Sequence, residues 1–217
     1  ARSYEITASV EGTRTSLEGA DVRWSANDAL GIFSGTKFVN AKFTTKDDNA
    51  ASATFTGDAT DAEGTEAAKA FAYYPYAAGA TLEGTTVSGL EILAVQTFAE
   101  GTFATTLNPM AAVGEDHTSL AFRSVGAVLR FKLTGTDTFN KLILTGNNDE
   151  SISGAYALDF SGEVPAMTFS GEGKSITVTC ASDVTLKTDV ATEVHFVVPA
   201  GIEFTKGVSL KIGRAHV

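Results

Sequence analysis

Three histidines are the first candidates for chemistry, because imidazole is a common acid–base group and metal ligand in proteins. They are His117, His195 and His216. No two of them have the spacing of a zinc site or a zincin helix, and the single cysteine, Cys180, adds no neighbouring thiolate. His195 falls in the solvent-facing phase of a predicted strand. We therefore expect surface or structural roles for all three, with no metal and no cofactor. Cys180 alternates in step with two apolar residues and is expected to be buried.

A glycine-rich segment at 171–175 reads Gly-Glu-Gly-Lys-Ser and is similar to the end of a phosphate-binding loop. That motif needs a glycine at position 168, where the chain has Thr168. The segment also leads into a predicted strand, whereas phosphate binding uses a helix N-terminus. A hairpin turn is the better prediction. The acidic loops at 58–63 and 147–150 lack the ligand order of an EF-hand, and solvated turns explain them.

Aromatic residues cluster in the sequence Phe-Ala-Tyr-Tyr-Pro-Tyr at 71–76. Tyr73, Tyr74 and Tyr76 could stack against sugar rings, although a strand that runs into a proline turn would place such rings in or beside a core. No Gly-x-Ser-x-Gly elbow is present and no cysteine–histidine pair suggests a nucleophile. We expect that the chain is not an enzyme, and a hydrolase with two distant carboxylates stays open as a weak alternative.

The elements that must position these residues are strands, because apolar and polar residues alternate along the whole chain. Tyr4, Ile6, Ala8 and Val10 form the first such run. Three further strong runs occupy 129–133, 194–198 and 208–212. Shorter runs occupy 30–33, 37–43, 52–55, 71–74, 141–144 and 167–169. Helix is nearly absent by pattern, with one or two helical turns expected at 61–69.

Composition agrees with an all-β protein and excludes several classes of function. The chain has 43% hydrophobic and 19% charged residues with 21 glycines, which suits short strands joined by turns. Its formal net charge of −10 argues against a nucleic-acid partner, which requires clustered cations. No apolar run is long enough for a transmembrane segment.

Turn signals between the runs have the spacing of a β-sandwich. A polar, glycine-containing segment begins at Gly135 and precedes the run at 141–144. We predict two domains there, 1–135 and 136–217, and one continuous sandwich is the alternative.

Thr-Arg-Thr-Ser-Leu at 13–17 precedes Val-Arg-Trp-Ser-Ala-Asn-Asp-Ala-Leu-Gly-Ile-Phe at 22–33. The aromatic cluster at 71–76 follows, and the segments at 120–131 and 152–156 come later in the chain. Together these segments resemble the fimbrillin-like family of Bacteroidota-type bacteria. They are similar, in the same order, to the start of that family's sequences, its Tyr-Tyr-Pro-Tyr segment, its late N-terminal-domain strand and its second domain. The resemblance covers most of the chain.

The resemblance implies two transthyretin-like β-sandwich domains, export as an outer-membrane lipoprotein, and a role at the cell surface as a fimbrial (pilus) stalk, tip or anchor subunit. Its partners would be other subunits, which join by β-strand addition, and a host protein or glycan. In such pili an arginine-specific protease removes an N-terminal segment, and a neighbour's strand fills the groove that is left. Arg2 and Arg14 are the candidate cleavage positions.

The carboxyl end departs from the family pattern, because a second domain should continue beyond the run at 208–212. The last six residues, at 212–217, match a sequencing adapter read in frame. We therefore expect that the second sandwich is truncated and that 212–217 are not native. The alternative function is a surface glycan-binding lipoprotein, suggested by Tyr73, Tyr74 and Tyr76.

Overall fold

The protein is built from strands. A computed structural model describes residues 3–10 and 22–213, and within these ranges it contains no helix. The all-β class is thus confirmed. The strands are β1 Ser3–Val10, β2 Ala29–Ser34, β3 Phe38–Thr45, β4 Ser52–Asp58, β5 Ala70–Tyr74, β6 Thr81–Glu83, β7 Thr86–Ile92, β8 Val95–Ala99, β9 Thr102–Phe103, β10 Met110–Gly114, β11 Ser119–Ser124, β12 Gly126–Leu133, β13 Thr138–Gly146, β14 Gly154–Asp159, β15 Ala166–Phe169, β16 Ser175–Thr185, β17 Thr192–Pro199 and β18 Val208–Gly213.

The chain forms two compact units, each of which is discontinuous in sequence. The first comprises Ala1–Leu90, Asn108–Val125 and Ala157–Thr168, and the second comprises the remaining segments. Near the middle of the chain the unit changes between Val125 and Gly126, at the junction of β11 and β12. The two predicted domains, 1–135 and 136–217, stay a prediction.

Seven strands of the first unit close into a barrel in the order β1-β11-β10-β5-β2-β3-β4. The alternation of apolar and polar residues explains how these strands form the barrel, because every second residue points into one shared core. One close approach requires glycine: a Cβ on Gly31 would lie 2.3 Å from the ring of Tyr73, its cross-strand neighbour on β5. The core contains Ile6, Ala8, Trp24, Leu30, Ile32, Phe38, Ala41, Phe43, Ala53, Phe55, Ala72, Tyr74, Met110, Ala112, Leu120 and Phe122.

The second unit contains a five-stranded sheet, β18-β13-β16-β8-β9, and a two-stranded sheet, β12-β17. β8 joins the larger sheet by parallel pairing with β16. From β8, the buried side chain of Gln96 reaches the smaller sheet and bonds both backbone groups of Val197. This side chain therefore links the two sheets as a strand would.

A further four-stranded sheet has the order β15-β14-β7-β6. No helix in the described part of the chain is long and apolar enough to span a bilayer.

Two local predictions are wrong. Residues 61–69 form turns and bends, because Thr65 bonds the backbone of Thr36 and Lys37 and so ties the segment to the β2–β3 connection. Residues 171–175 are not a hairpin turn, since they connect β15 and β16, which belong to different sheets. Gly173 instead pairs with Ser153 across a close backbone crossing.

Alternation also fails along the two-stranded sheet. Residues of β12 are nearly all half-buried on both faces, so the predicted inner and outer faces of 129–133 are not distinguished. The last six residues of β17 are all buried, which includes His195. A strand that is buried on both faces has no alternating polar residues, so a sequence pattern cannot show which face points inward.

Candidate functional site: the groove filled by the first strand

The first strand occupies a groove between two strands from later parts of the chain. β1 pairs in antiparallel fashion with β4 along residues 3–9 and in parallel with β11 along residues 7–10. Backbone bonds from Thr7 N to Thr118 O at 2.9 Å and from Val10 N to Ala51 O at 3.0 Å extend the pairing on each side. In the described chain, β1 alone links β4 to β11, so it closes the barrel.

The predicted alternation of this strand is confirmed. Ile6 and Ala8 are buried in the core, and Tyr4 and Val10 are partly buried against it. The intervening Glu5 and Thr7 are exposed. Burial of these apolar side chains stabilises β1 in the groove, because hydrophobic stabilisation follows the apolar area removed from water.

Trp24 forms the floor of the groove. Its indole Nε1–H donates to the carbonyl oxygen of Ala8 at 3.0 Å. Its ring meets the rings of Phe55, Tyr74 and Phe122 edge-on, at centroid distances of 5.0, 5.3 and 5.3 Å. A buried tryptophan with a satisfied N–H and three edge contacts has little freedom to move.

A buried carboxyl group lies on the other side of this aromatic cluster. Asp28 accepts the hydroxyl hydrogen of Tyr74 at 2.7 Å and the backbone N–H of Ser25 at 2.8 Å. Burial raises the pKa of Asp28 even though both hydrogen bonds oppose that shift. Asn27, with a φ of 73°, makes the turn that brings Asp28 inward. The sequence gives no signal for this inward carboxyl.

The start of β1 enters a mixed aromatic and charged cluster. The ring of Tyr4 meets Phe38 at 5.3 Å and His117 at 5.7 Å, both edge-on, and Lys37 Nζ lies 4.9 Å from its centroid. Glu66 bonds two of these residues, with an oxygen 3.2 Å from Lys37 Nζ and another 2.7 Å from His117 Nδ1. The hydrogen bond to Glu66 raises the pKa of Lys37. His117 therefore has a structural role in supporting the Tyr4 ring.

The three tyrosines predicted as sugar-stacking residues lie in different environments. Tyr73 is fully buried and donates its hydroxyl hydrogen to Ala77 O at 2.9 Å, and burial raises its pKa. Tyr74 is buried in the Trp24 cluster. Tyr76 is partly exposed, with Lys42 Nζ 5.3 Å from its ring centroid. Of the three, Tyr76 alone has an exposed surface, and glycan stacking by it stays a prediction.

The alternation predicts that His195 lies on the solvent-facing side of its strand, and this prediction is wrong. It is 5% exposed, and its Nδ1 has no hydrogen-bond partner in the described part of the protein. Burial is the main cause that lowers its pKa, and the nearby charge of Arg130 lowers it further. Glu193 and a backbone hydrogen bond with Thr102 act in the opposite direction.

The other predicted chemistry-bearing residues are dispersed. Cys180 is half-buried on β16, so the predicted full burial is wrong, and burial raises its thiol pKa. Within residues 3–10 and 22–213, no group of three or more histidine, cysteine or acidic residues could hold a metal ion. Arg2, Arg14 and His216 lie outside the described residues, as does most of the segment 212–217.

Comparison with protein-family profiles, curated proteins and solved structures finds no match to this chain.

Proposed function

We propose that the chain is a structural and adhesive subunit of cell-surface fimbriae, in which an extended strand of a neighbouring subunit replaces β1. The observation that supports this proposal is the position of β1: the first strand of the chain closes the barrel between β4 and β11. A stalk, tip or anchor subunit is compatible with this arrangement. Further partners would be a host protein or glycan, and the subunit would reside at the outer membrane.

The physical basis of the exchange is β-augmentation. Without β1, strands β4 and β11 become the two edges of an open sheet, with unpaired backbone groups and an exposed apolar interior. An incoming strand supplies the backbone hydrogen bonds and fills the same side-chain pockets. The incoming strand makes contacts that repeat those of β1, so replacing one strand by the other changes the free energy little. The concentration and proximity of the incoming strand then decide whether it replaces β1.

Of the two candidate cleavage positions, Arg14 is the one consistent with release. It follows β1 in the sequence, so cleavage there cuts the only covalent link between β1 and the rest of the chain. Cleavage at Arg2 would leave β1 attached, because Arg2 precedes the strand. We therefore assign the processing role to Arg14.

The experiment is limited digestion of the full chain with an arginine-specific protease, followed by size-exclusion chromatography with light scattering. Mass spectrometry identifies the cut positions. We expect protein cut at Arg14 to lose β1 and to associate with other copies through the open edges of β4 and β11, and the Arg14→Gln variant to stay monomeric under the same protease. Arg2→Gln is the matched control and should assemble as the unaltered chain does. Monomers that persist after complete cleavage at Arg14 would contradict the proposal.

A further inference from the structure

The groove of β1 contains a graded series of side-chain positions. From the start of the strand these are an aromatic ring at Tyr4, a branched aliphatic chain at Ile6, a methyl group at Ala8 and a branched chain at Val10. Ile6 is 1% exposed and Ala8 is 0% exposed, so these two positions have no outlet to solvent. An incoming strand must match their sizes, because a packed core tolerates neither a void nor an added side chain.

The Ala8 position is the strictest. Ala8 is 0% exposed and belongs to the same buried cluster as Trp24, Phe55 and Phe122. The Trp24 Nε1–H donates to the backbone oxygen of Ala8 at 3.0 Å, which holds the strand at this position whatever side chain it carries. A larger side chain there would have to displace packed core atoms, which is destabilising.

The Tyr4 position favours an aromatic ring for a different reason. Lys37 Nζ faces the ring at 4.9 Å, and Phe38 presents its edge or face at a centroid distance of 5.3 Å with an interplanar angle of 87°. Cations and ring edges both interact favourably with the negative face of an aromatic ring. An aliphatic side chain would lose both interactions.

We infer that the groove selects an extended segment of another subunit by side-chain size, with its strictest limit at the fully buried Ala8 position. The segment runs parallel to β11 and carries an aromatic residue, a branched aliphatic residue and then a small residue at alternate positions. This inference rests on the proposed strand exchange.

The test uses the full chain with a protease site inserted between Val10 and Val22, so that β1 can be cut from the rest of the chain but remain bound. Fluorescent peptides with the sequence of residues 3–10 compete for the groove, and anisotropy measures their binding. The peptide with Ala8→Leu carries added bulk at a fully buried position. The matched control, Thr7→Leu, carries a leucine at an exposed position. The cut protein is the same in every assay, so its folding does not differ between peptides.

We expect the unaltered peptide and the Thr7→Leu peptide to bind alike, and the Ala8→Leu peptide to bind at least about tenfold more weakly. Replacing Tyr4 by leucine should also weaken binding, and by more than Tyr4→Phe, which keeps the ring and loses only the hydroxyl that bonds Lys37. Equal binding of the Ala8→Leu and Thr7→Leu peptides would overturn the size selection and leave strand exchange intact. Failure of every peptide to enter, including the unaltered sequence, would overturn both.

Discussion

Trp24 makes one hydrogen bond to β1 and three ring contacts in the core, so its removal affects both the packing of the core and the binding of β1 in its groove. A Trp24→Phe substitution removes the indole N–H that bonds Ala8 O and leaves a void. We expect a loss of about 2–4 kcal/mol in the free energy of unfolding. Urea titration followed by far-UV circular dichroism measures it, because the variant lacks the chain's one tryptophan. Val39→Ala, at a 51% exposed side chain, should change stability by less than about 0.5 kcal/mol.

His195 makes stability depend on pH. Its folded-state pKa lies below the ordinary value of 6.5, so the folded protein binds fewer protons than the unfolded chain near that pH. Its contribution to stability is therefore complete above pH 6.5 and decreases as the pH falls through this value. Protonation would also place a second positive charge opposite Arg130, its cross-strand neighbour, with Glu193 as the compensating charge.

Hydrogen exchange of β17 at pH 7.5 and pH 5.5 measures this effect, with rates corrected for the intrinsic dependence of exchange on pH. The unaltered chain should lose protection at the lower pH, and His195→Gln should lose less. An equal loss in both proteins would show that other groups cause the pH dependence.

At the scale of elements, a single side chain replaces a strand in the second unit. Gln96 Nε2 donates to Val197 O at 2.7 Å, and Val197 N donates to Gln96 Oε1 at 2.9 Å. Gln96→Ala leaves both buried backbone groups unpaired, and we expect a cost of about 1–3 kcal/mol. Faster hydrogen exchange at Val197 and a lower urea midpoint would report it. Thr97→Ser changes the exposed neighbour on the same strand and should have no measurable effect.

The sequence predicts strands well where one face of the strand is exposed to solvent, and poorly where both faces are buried. β1 follows the predicted alternation residue by residue because one side faces the core and the other faces water. β10, of which four residues are buried, is alanine-rich and carries no alternation, so the pattern misses it. The hydrogen bond of Trp24 to Ala8 joins residues that are 16 positions apart in the sequence, and local patterns contain no such information.

At the scale of the whole molecule, the net charge of −10 opposes association between copies. Assembly of cleaved subunits should therefore be faster at about 0.15 M salt than at about 0.01 M, because the screening length falls from about 30 Å to about 8 Å. Light scattering after protease treatment measures the rate. A rate that falls on adding salt would indicate that attraction between opposite charges, and not apolar burial, drives the encounter.

The closed barrel also constrains the order of folding. β1 is synthesised well before its parallel partner β11, which lies far later in the chain. Until β11, Ser119–Ser124, has been synthesised, the barrel cannot close and its aromatic core is not covered on that side. A strand that waits for distant partners loses more chain entropy on pairing than one in a local hairpin, which slows the final step. β1 therefore reaches its final pairing only after β11 has left the ribosome.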